Sequence, residues 1–162
     1  SVRSRLISEE DMVKQASEFA GTVPVRHLLP YWKTGNRYLF SGGSVNMRDA
    51  AVYAKEENWS KAVELWKQTY ETKKGKQKMY AAYNTALGYE MQDSIDTALE
   101  WALKAQTLAR EKSKTDKKET GEIHDGTISY YIFISMYVDE LEKRKEGMAR
   151  LNMQMNRFDD DF

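Results

Sequence analysis

Residues 80–108 carry the pattern that decides the fold of this chain, and they read YAAYNTALGYEMQDSIDTALEWALKAQTL. A polar break at residues 92–94 divides the stretch into two apolar halves. Small residues recur in both halves: Ala82, Ala86, Ala98, Ala102 and Ala105. Alanine at a contact lets two helix axes approach closely, and rings such as Tyr83 and Tyr89 fill the grooves that remain. The stretch therefore predicts two amphipathic helices packed tightly against each other.

An upstream segment repeats this pattern. A shift of 36 positions aligns four pairs of residues: Ala50 with Ala86, Tyr53 with Tyr89, Ala62 with Ala98 and Glu64 with Glu100. Asn46 and Asp49 can start the first upstream helix, and Asn58 or Ser60 can start its partner. Residues 73–76 are predicted to form the turn between the two units. The sequence therefore predicts two helical hairpins, over residues 46–74 and 77–111.

The pattern resembles the tetratricopeptide repeat, in which a small residue, an aromatic and two later alanines mark one helix–turn–helix unit. In the second unit these are Ala86, Tyr89, Ala98 and Ala105. Lys74 and Arg110 stand where the family has its closing proline, so the second helix of each unit is expected to run past its usual length. The resemblance implies an all-α fold, a right-handed α-α superhelix of two hairpins.

Two repeats cannot bury enough apolar surface alone, so capping helices are expected at both ends of a single domain. Residues 1–43 are predicted to form the N-terminal caps, with one helix starting at residues 8–11 and a short one within 22–32. A charge run at 112–121 is predicted to be a loop or a frayed helix end. Residues 126–152 are predicted to form the C-terminal capping helix, and residues 153–162 a loose tail.

Composition excludes several classes of function. The chain has 25 Lys plus Arg and 25 Asp plus Glu, so no overall field attracts nucleic acid, and no such partner is expected. No apolar run reaches the length of a membrane span. Cysteine is absent, which excludes disulfides and thiolate metal sites. The chain starts at Ser1 without a signal peptide, so any lipid anchor is expected on a missing N-terminal part.

The sequence offers no catalytic constellation. His27 and His124 lie far apart, and the Asp125 that could orient His124 is more simply a helix cap. The acidic clusters at 9–11 and 159–161 lack the spacing of a calcium loop. We therefore predict no catalytic residues, no metal ligands and no cofactor for this chain. Lysines concentrate between residues 61 and 78, but glutamates lie among them, which favours a solvated turn.

Helix positions that face the groove of a tetratricopeptide array define the predicted partner-binding site: Met47, Lys55, Tyr83, Asn84, Leu87 and Glu90. Aromatic area, an amide and a thioether suit an extended peptide. An equal alternative is that the N-terminal region or the last helix fills this concavity. The two alternatives differ in whether these side chains are open to solvent.

A second resemblance comes from Leu29-Pro30-Tyr31-Trp32 followed by Arg37-Tyr38 and helical repeats. This order is similar to an uncharacterised family of bacterial envelope lipoproteins. It implies a place in the bacterial cell envelope, in the periplasm or at the surface, with the cytoplasm as the alternative. Arg37 is then either an ion-pair organiser at the end of the array or an exposed arginine.

The sequence thus predicts a non-catalytic module that binds a protein or peptide, or acts as a scaffold. The alternative is glycan or small-ligand binding by exposed aromatics such as Tyr31, Trp32 and Trp101. Exposed coplanar rings would favour sugar, and an open groove lined by Tyr83, Asn84 and Lys55 would favour peptide.

Overall fold

The structure is a computed structural model that describes residues 28–31, 37–120 and 130–160, with side chains for 37–114 and 130–160. The described residues form five helices and one two-stranded sheet: β1 (Leu28–Tyr31), β2 (Arg37–Phe40), α1 (Val45–Lys55), α2 (Trp59–Thr72), α3 (Gly75–Met91), α4 (Ile95–Thr120) and α5 (Tyr130–Asp160). The all-α fold class is confirmed. The helix predicted to start at residues 8–11 and the start of the capping helix at 126–129 lie outside the described residues.

The two predicted hairpins are α1 with α2 and α3 with α4. Their turns repeat the same backbone geometry 36 residues apart, at Glu57 (φ 59°) and Asp93 (φ 60°), in the left-handed region after each helix end. The Asn58 amide donates to the Tyr53 carbonyl at 2.8 Å, and the Ser94 amide donates to the Tyr89 carbonyl at 2.9 Å. The internal repeat predicted from the alanine pattern is therefore present in the backbone.

The aligned alanines lie at the helix contacts. Ala50, Ala62, Ala86 and Ala98 are all fully buried. Among the residues whose side chains are described, Trp66 is the largest that is fully buried, and it packs where α2 meets α3 beside Gly88. A Cβ at Gly88 would overlap the Val63 side chain, so the close approach of α2 and α3 requires glycine there.

A β-hairpin occupies residues 28–31 and 37–40, within the region where a short helix and the end of the N-terminal caps are predicted. Strands β1 and β2 pair antiparallel, with Leu28 opposite Phe40 and Tyr31 opposite Arg37. Strand β2 packs on α3. The helix prediction is wrong for residues 28–31 because β2 offers these residues a backbone partner, which a local pattern does not reveal.

The C-terminal elements are longer than predicted. Helix α4 continues through the charge run to Thr120, and α5 continues through residues 153–160, which were predicted to be a loose tail. The segment after residue 141 contains no proline and gains an i,i+4 ion pair between Glu146 and Arg150, which favour a continuous helix. Among the described helices, none combines the length and apolar character needed to cross a membrane.

Candidate functional site

A buried polar cluster lies on α3 at Glu90. Arg37 of β2 donates to both carboxylate oxygens, with Nε 2.8 Å from Oε1 and Nη2 3.0 Å from Oε2. From α5, the Tyr137 hydroxyl donates to Oε1 at 3.0 Å, and Arg144 Nη1 donates to Oε2 at 2.8 Å. Four hydrogen bonds thus join β2 and α5 to one carboxylate of α3.

The electrostatics of the cluster hold Glu90 ionised. Burial alone would raise the pKa of the Glu90 carboxyl, but the hydrogen bonds and charges of Arg37 and Arg144 outweigh burial and lower it. Burial also acts to lower the pKa of Arg37, and its pairing with Glu90 raises that pKa instead. The Tyr137 hydroxyl is fully enclosed, and burial raises its pKa well above the ordinary value.

Asn84, six residues before Glu90 on α3, binds the backbone of β2. Its Oδ1 accepts from the Phe40 amide at 2.8 Å, and its Nδ2 donates to the Phe40 carbonyl at 2.7 Å. The Tyr83 hydroxyl donates to the Tyr38 carbonyl at 2.6 Å. The Asn84 amide therefore satisfies the backbone hydrogen-bonding groups of Phe40, as a neighbouring strand would. These bonds explain how a two-stranded sheet is held on a helical core.

Aromatic rings close the same face. Phe40 stacks on Tyr80 with ring centroids 4.2 Å apart and meets Tyr83 edge-on at 5.1 Å. From α5, Phe133 and Tyr137 lie against Tyr83, with centroids 5.5 and 5.0 Å away. Strand β2 and the first half of α5 together cover the face of α3 that was predicted to line a groove.

The prediction of an open groove is wrong for this face. Tyr83, Asn84, Leu87 and Glu90 come together on α3, but all four are buried under β2 and α5. Met47 is buried in the core of the first hairpin, and Lys55 is exposed at the end of α1, so neither lines a cleft with the others. The alternative holds for this face instead, because parts of the same chain cover it.

Of the other residues predicted to bind a ligand or organise the fold, some lie in the described part of the chain and some lie outside it. Arg37 is buried and organises the ion pair to Glu90, as one of the two alternatives expected. Trp32 and the side chain of Tyr31 lie outside the described residues. Trp101, expected to be an exposed ring, is only 9% exposed, and Lys104 Nζ lies 4.1 Å from its ring centroid. Trp101 therefore offers no free ring face to a sugar.

Among the described residues, no three His, Cys, Asp or Glu side chains form a group that could hold a metal ion. The Glu90 carboxylate already accepts four hydrogen bonds. Since its lone pairs are occupied, it has little capacity to take a proton from a substrate.

A second surface was missed from the sequence. Beyond Leu141, α5 has no buried residues, and it carries an exposed row of large apolar side chains: Met148, Leu151, Met155 and Phe158. Their spacing of three, four and three residues places them on one helix face. That spacing is visible in the sequence, but the assignment of residues 153–162 to a loose tail hid its second half.

Arg144 was also missed as a ligand of Glu90. It stands seven residues after Tyr137, so the two side chains share a face of α5, and both reach the same carboxylate. Spacing alone could place the pair on one face. It could not identify the carboxylate, which lies 54 residues from Arg144 in the chain.

Comparison with known proteins gives two family matches. Residues 48–143 match the family described as Domain of unknown function (DUF6340), and residues 1–40 match Domain of unknown function (DUF8603). Neither the curated proteins nor the solved structures contain a match. The first match includes Glu90 and the second includes Arg37, while the exposed row of α5 lies outside both. Because the first match covers more than half of its length, the chain belongs to the DUF6340 family.

Proposed function

We propose that this chain is a non-catalytic protein-interaction or scaffold module of tetratricopeptide type, which contacts a protein partner through the distal row of α5. The distal row is defined as Met148, Leu151, Met155 and Phe158. The observation that carries the proposal is that all four side chains are exposed on one face of a helix that extends beyond its own core. Contiguous exposed apolar surface of this kind is typical of interaction sites.

Two features of the molecule support this surface over the α3 face. The α3 face is sealed by Phe40, Tyr137 and their neighbours, so a peptide would have to displace β2 or α5 to reach Tyr83. Displacing them would also break the buried ion pairs of Glu90. The distal row needs no such displacement, because its four side chains are already exposed.

The chemistry of Glu90 supports the part of the proposal that assigns no catalytic activity to this chain. A general base must be free to accept a proton, whereas this carboxylate is paired with two arginines and its pKa is lowered. The proposed place in the bacterial cell envelope is supported by the resemblance of residues 29–32 and 37–38 to the envelope lipoproteins.

Site-specific photo-crosslinking in the source cells tests the function. Benzoylphenylalanine placed at Met155 reports on the distal row, and the same label at Met153 reports on another face of the same helix. The two methionines are equally exposed, at 58% each, so accessibility alone cannot separate them. We expect a discrete protein adduct from position 155 and none from position 153. Equal adducts at both positions, or none at either, would contradict the proposal.

A further inference from the structure

We propose that the partner of the distal row is a second copy of this chain, paired with it as an antiparallel two-helix coiled coil. This inference rests on the proposed function and adds the identity of the partner. It is carried by three features of α5: the continuity of its apolar face, the arrangement of charge beside that face, and the position of the core at one end of the helix.

The same repeat of apolar residues runs along α5 from its buried first half to its C-terminal end. Ile134, Tyr137 and Leu141 are buried in the chain's own core, with spacings of three and four residues. The same alternation continues through Arg144 to the distal row, ending at Phe158. Apolar residues alternating at three and four form the a and d positions of a coiled coil, here a at Met148 and d at Leu151. The second half of α5 thus has the pattern of a helix that packs on another helix.

An antiparallel arrangement matches the apolar layers. It sets Met148 against Phe158 of the second copy and Leu151 against Met155 of the second copy, and symmetry repeats both contacts. Each layer then combines a thioether with a leucine or an aromatic ring, contacts that methionine makes readily. The arrangement is isologous, as expected for a twofold dimer.

Charge beside the apolar face favours this orientation. Lys145 and Asp159 both occupy the e position, which borders the seam, and antiparallel helices bring e positions together. Lys145 then faces Asp159 of the second copy, twice by symmetry. In a parallel pair the g and e positions would meet instead, giving Gly147 with Asn152 and Gln154 with Asp159 in the distal half, and neither combination joins opposite charges. The one opposite-charge combination, Glu140 with Lys145, would lie beside Leu141, which is already buried in the chain's own core.

Lys145 already forms an ion pair with Asp96, with Nζ 2.9 Å from Oδ1. Both partners are more than half exposed, so this contact is weakly held and can be exchanged. The antiparallel orientation also keeps the folded cores apart. Each core lies at the opposite end of the paired segment, about 25 Å away at 1.5 Å per residue.

The size of the contact sets its strength. Two facing segments of this length bury on the order of 1,000 Å² in total, at the low end for specific complexes. The dimer should therefore be reversible, with a dissociation constant in roughly the micromolar range.

Analytical ultracentrifugation of the full chain over a concentration series measures this directly. We expect a monomer–dimer equilibrium that Met155→Glu weakens at least about tenfold, since it places a charge in the seam. Met153→Glu, at equal exposure outside the seam, should change the dissociation constant by less than about twofold. Asp159→Lys should weaken the dimer, and Lys145→Asp in the same chain should restore it.

Cysteine cross-linking tests the orientation, because the natural chain contains no cysteine. Met148→Cys mixed with Phe158→Cys should give a disulfide-linked heterodimer on oxidation, while each variant alone should not cross-link. Efficient cross-linking of each variant with itself would indicate a parallel pair and would overturn the proposal.

A monomer at every concentration would also overturn the proposal. The photo-crosslink at position 155 would then identify which molecule or segment contacts the distal row. An adduct with a different protein leaves the proposed function standing and replaces the second copy. An adduct within one chain to residues 1–27 assigns the distal row to that segment. No adduct at all removes the proposed function as well.

Discussion

Arg37 and Glu90 lie 53 residues apart in the chain and form a buried two-point ion pair, with nitrogen–oxygen distances of 2.8 and 3.0 Å. Arg37 belongs to strand β2, and Glu90 lies near the end of helix α3. Arg144 of α5 completes the pair from the other side. This arrangement holds strand β2 and helix α5 on the face of α3 that a tetratricopeptide array would leave open.

Replacing Glu90 should destabilise the fold strongly. Glu90→Gln leaves Arg37 buried without its counter-charge and Arg144 with its closest partner weakened, which should cost about 3–5 kcal/mol of the free energy of unfolding. Chemical denaturation followed by far-UV circular dichroism measures the loss. Glu140→Gln, at an exposed ion pair with Lys143, is the matched control and should change stability by less than about 1 kcal/mol. Similar small losses for both variants would show that the buried pair is not formed.

The same carboxylate predicts acid sensitivity. The folded protein lowers the pKa of Glu90 below its ordinary value of 4.5. Between the two values the unfolded chain binds more protons, so stability rises with pH there. The contribution of Glu90 is complete above about pH 4.5 and disappears as the pH falls through the lower folded pKa. Denaturation midpoints measured across this range should fall more steeply with acid in the wild type than in a chain carrying Glu90→Gln. Parallel curves would exclude this carboxyl as a source of acid sensitivity.

Gly88→Ala should destabilise the contact between α2 and α3. The added methyl group would overlap Val63, and the neighbouring Trp66 ring limits relaxation, so we expect a loss of about 1–3 kcal/mol. Adding Val63→Ala should recover part of this loss, which a double-mutant cycle measures. Gly147→Ala is the control, because its helical site has open space and the change should stabilise by up to about 1 kcal/mol. A gain in both variants would place Gly88 away from α2.

Trp66→Ala should cost about 3–5 kcal/mol, because the ring is fully buried between the repeats. Trp59→Ala, at a half-buried position at the start of the same helix, should cost less. Urea denaturation with both variants gives the comparison. A loss under about 1 kcal/mol at Trp66 would mean that the register of α2 is wrong.

The helical hairpins could be predicted because their signals are local. Alanine spacing, the break at residues 92–94 and the cap at Asn58 each depend on neighbours within a few turns, and all three features are present in the structure. The β-hairpin could not be predicted in the same way. Residues 37–40 pair with residues 28–31, and Asn84 holds the strand on α3 by binding the backbone of Phe40 from 44 residues away. A long-range partner of this kind leaves no periodic pattern in the strand itself.

The candidate site shows the same division. Tyr83, Asn84 and Glu90 were correctly placed on one face of α3, because helical spacing fixes that relationship. Whether the face is open depends on where β2 and α5 pack. The spacing of residues along α3 carries no information about that packing. The distal row was available to spacing alone, since its four members follow one another at three and four residues. The prediction of a loose tail at residues 153–162 does not include it, because a polar, charged chain end gives no sign that its helix continues.

Hydrogen exchange at the Phe40 amide tests the central claim most directly, namely that the chain's own segments occupy the α3 face. This amide donates to the buried Asn84 side chain, and the ring of the same residue stacks on Tyr80. We expect this amide to exchange as slowly as the α3 core amides, with a protection free energy close to that of global unfolding. Exchange at the rate of an unprotected amide, while the α3 amides stay protected, would show that β2 leaves this face open and would contradict the burial of the α3 face by the chain itself.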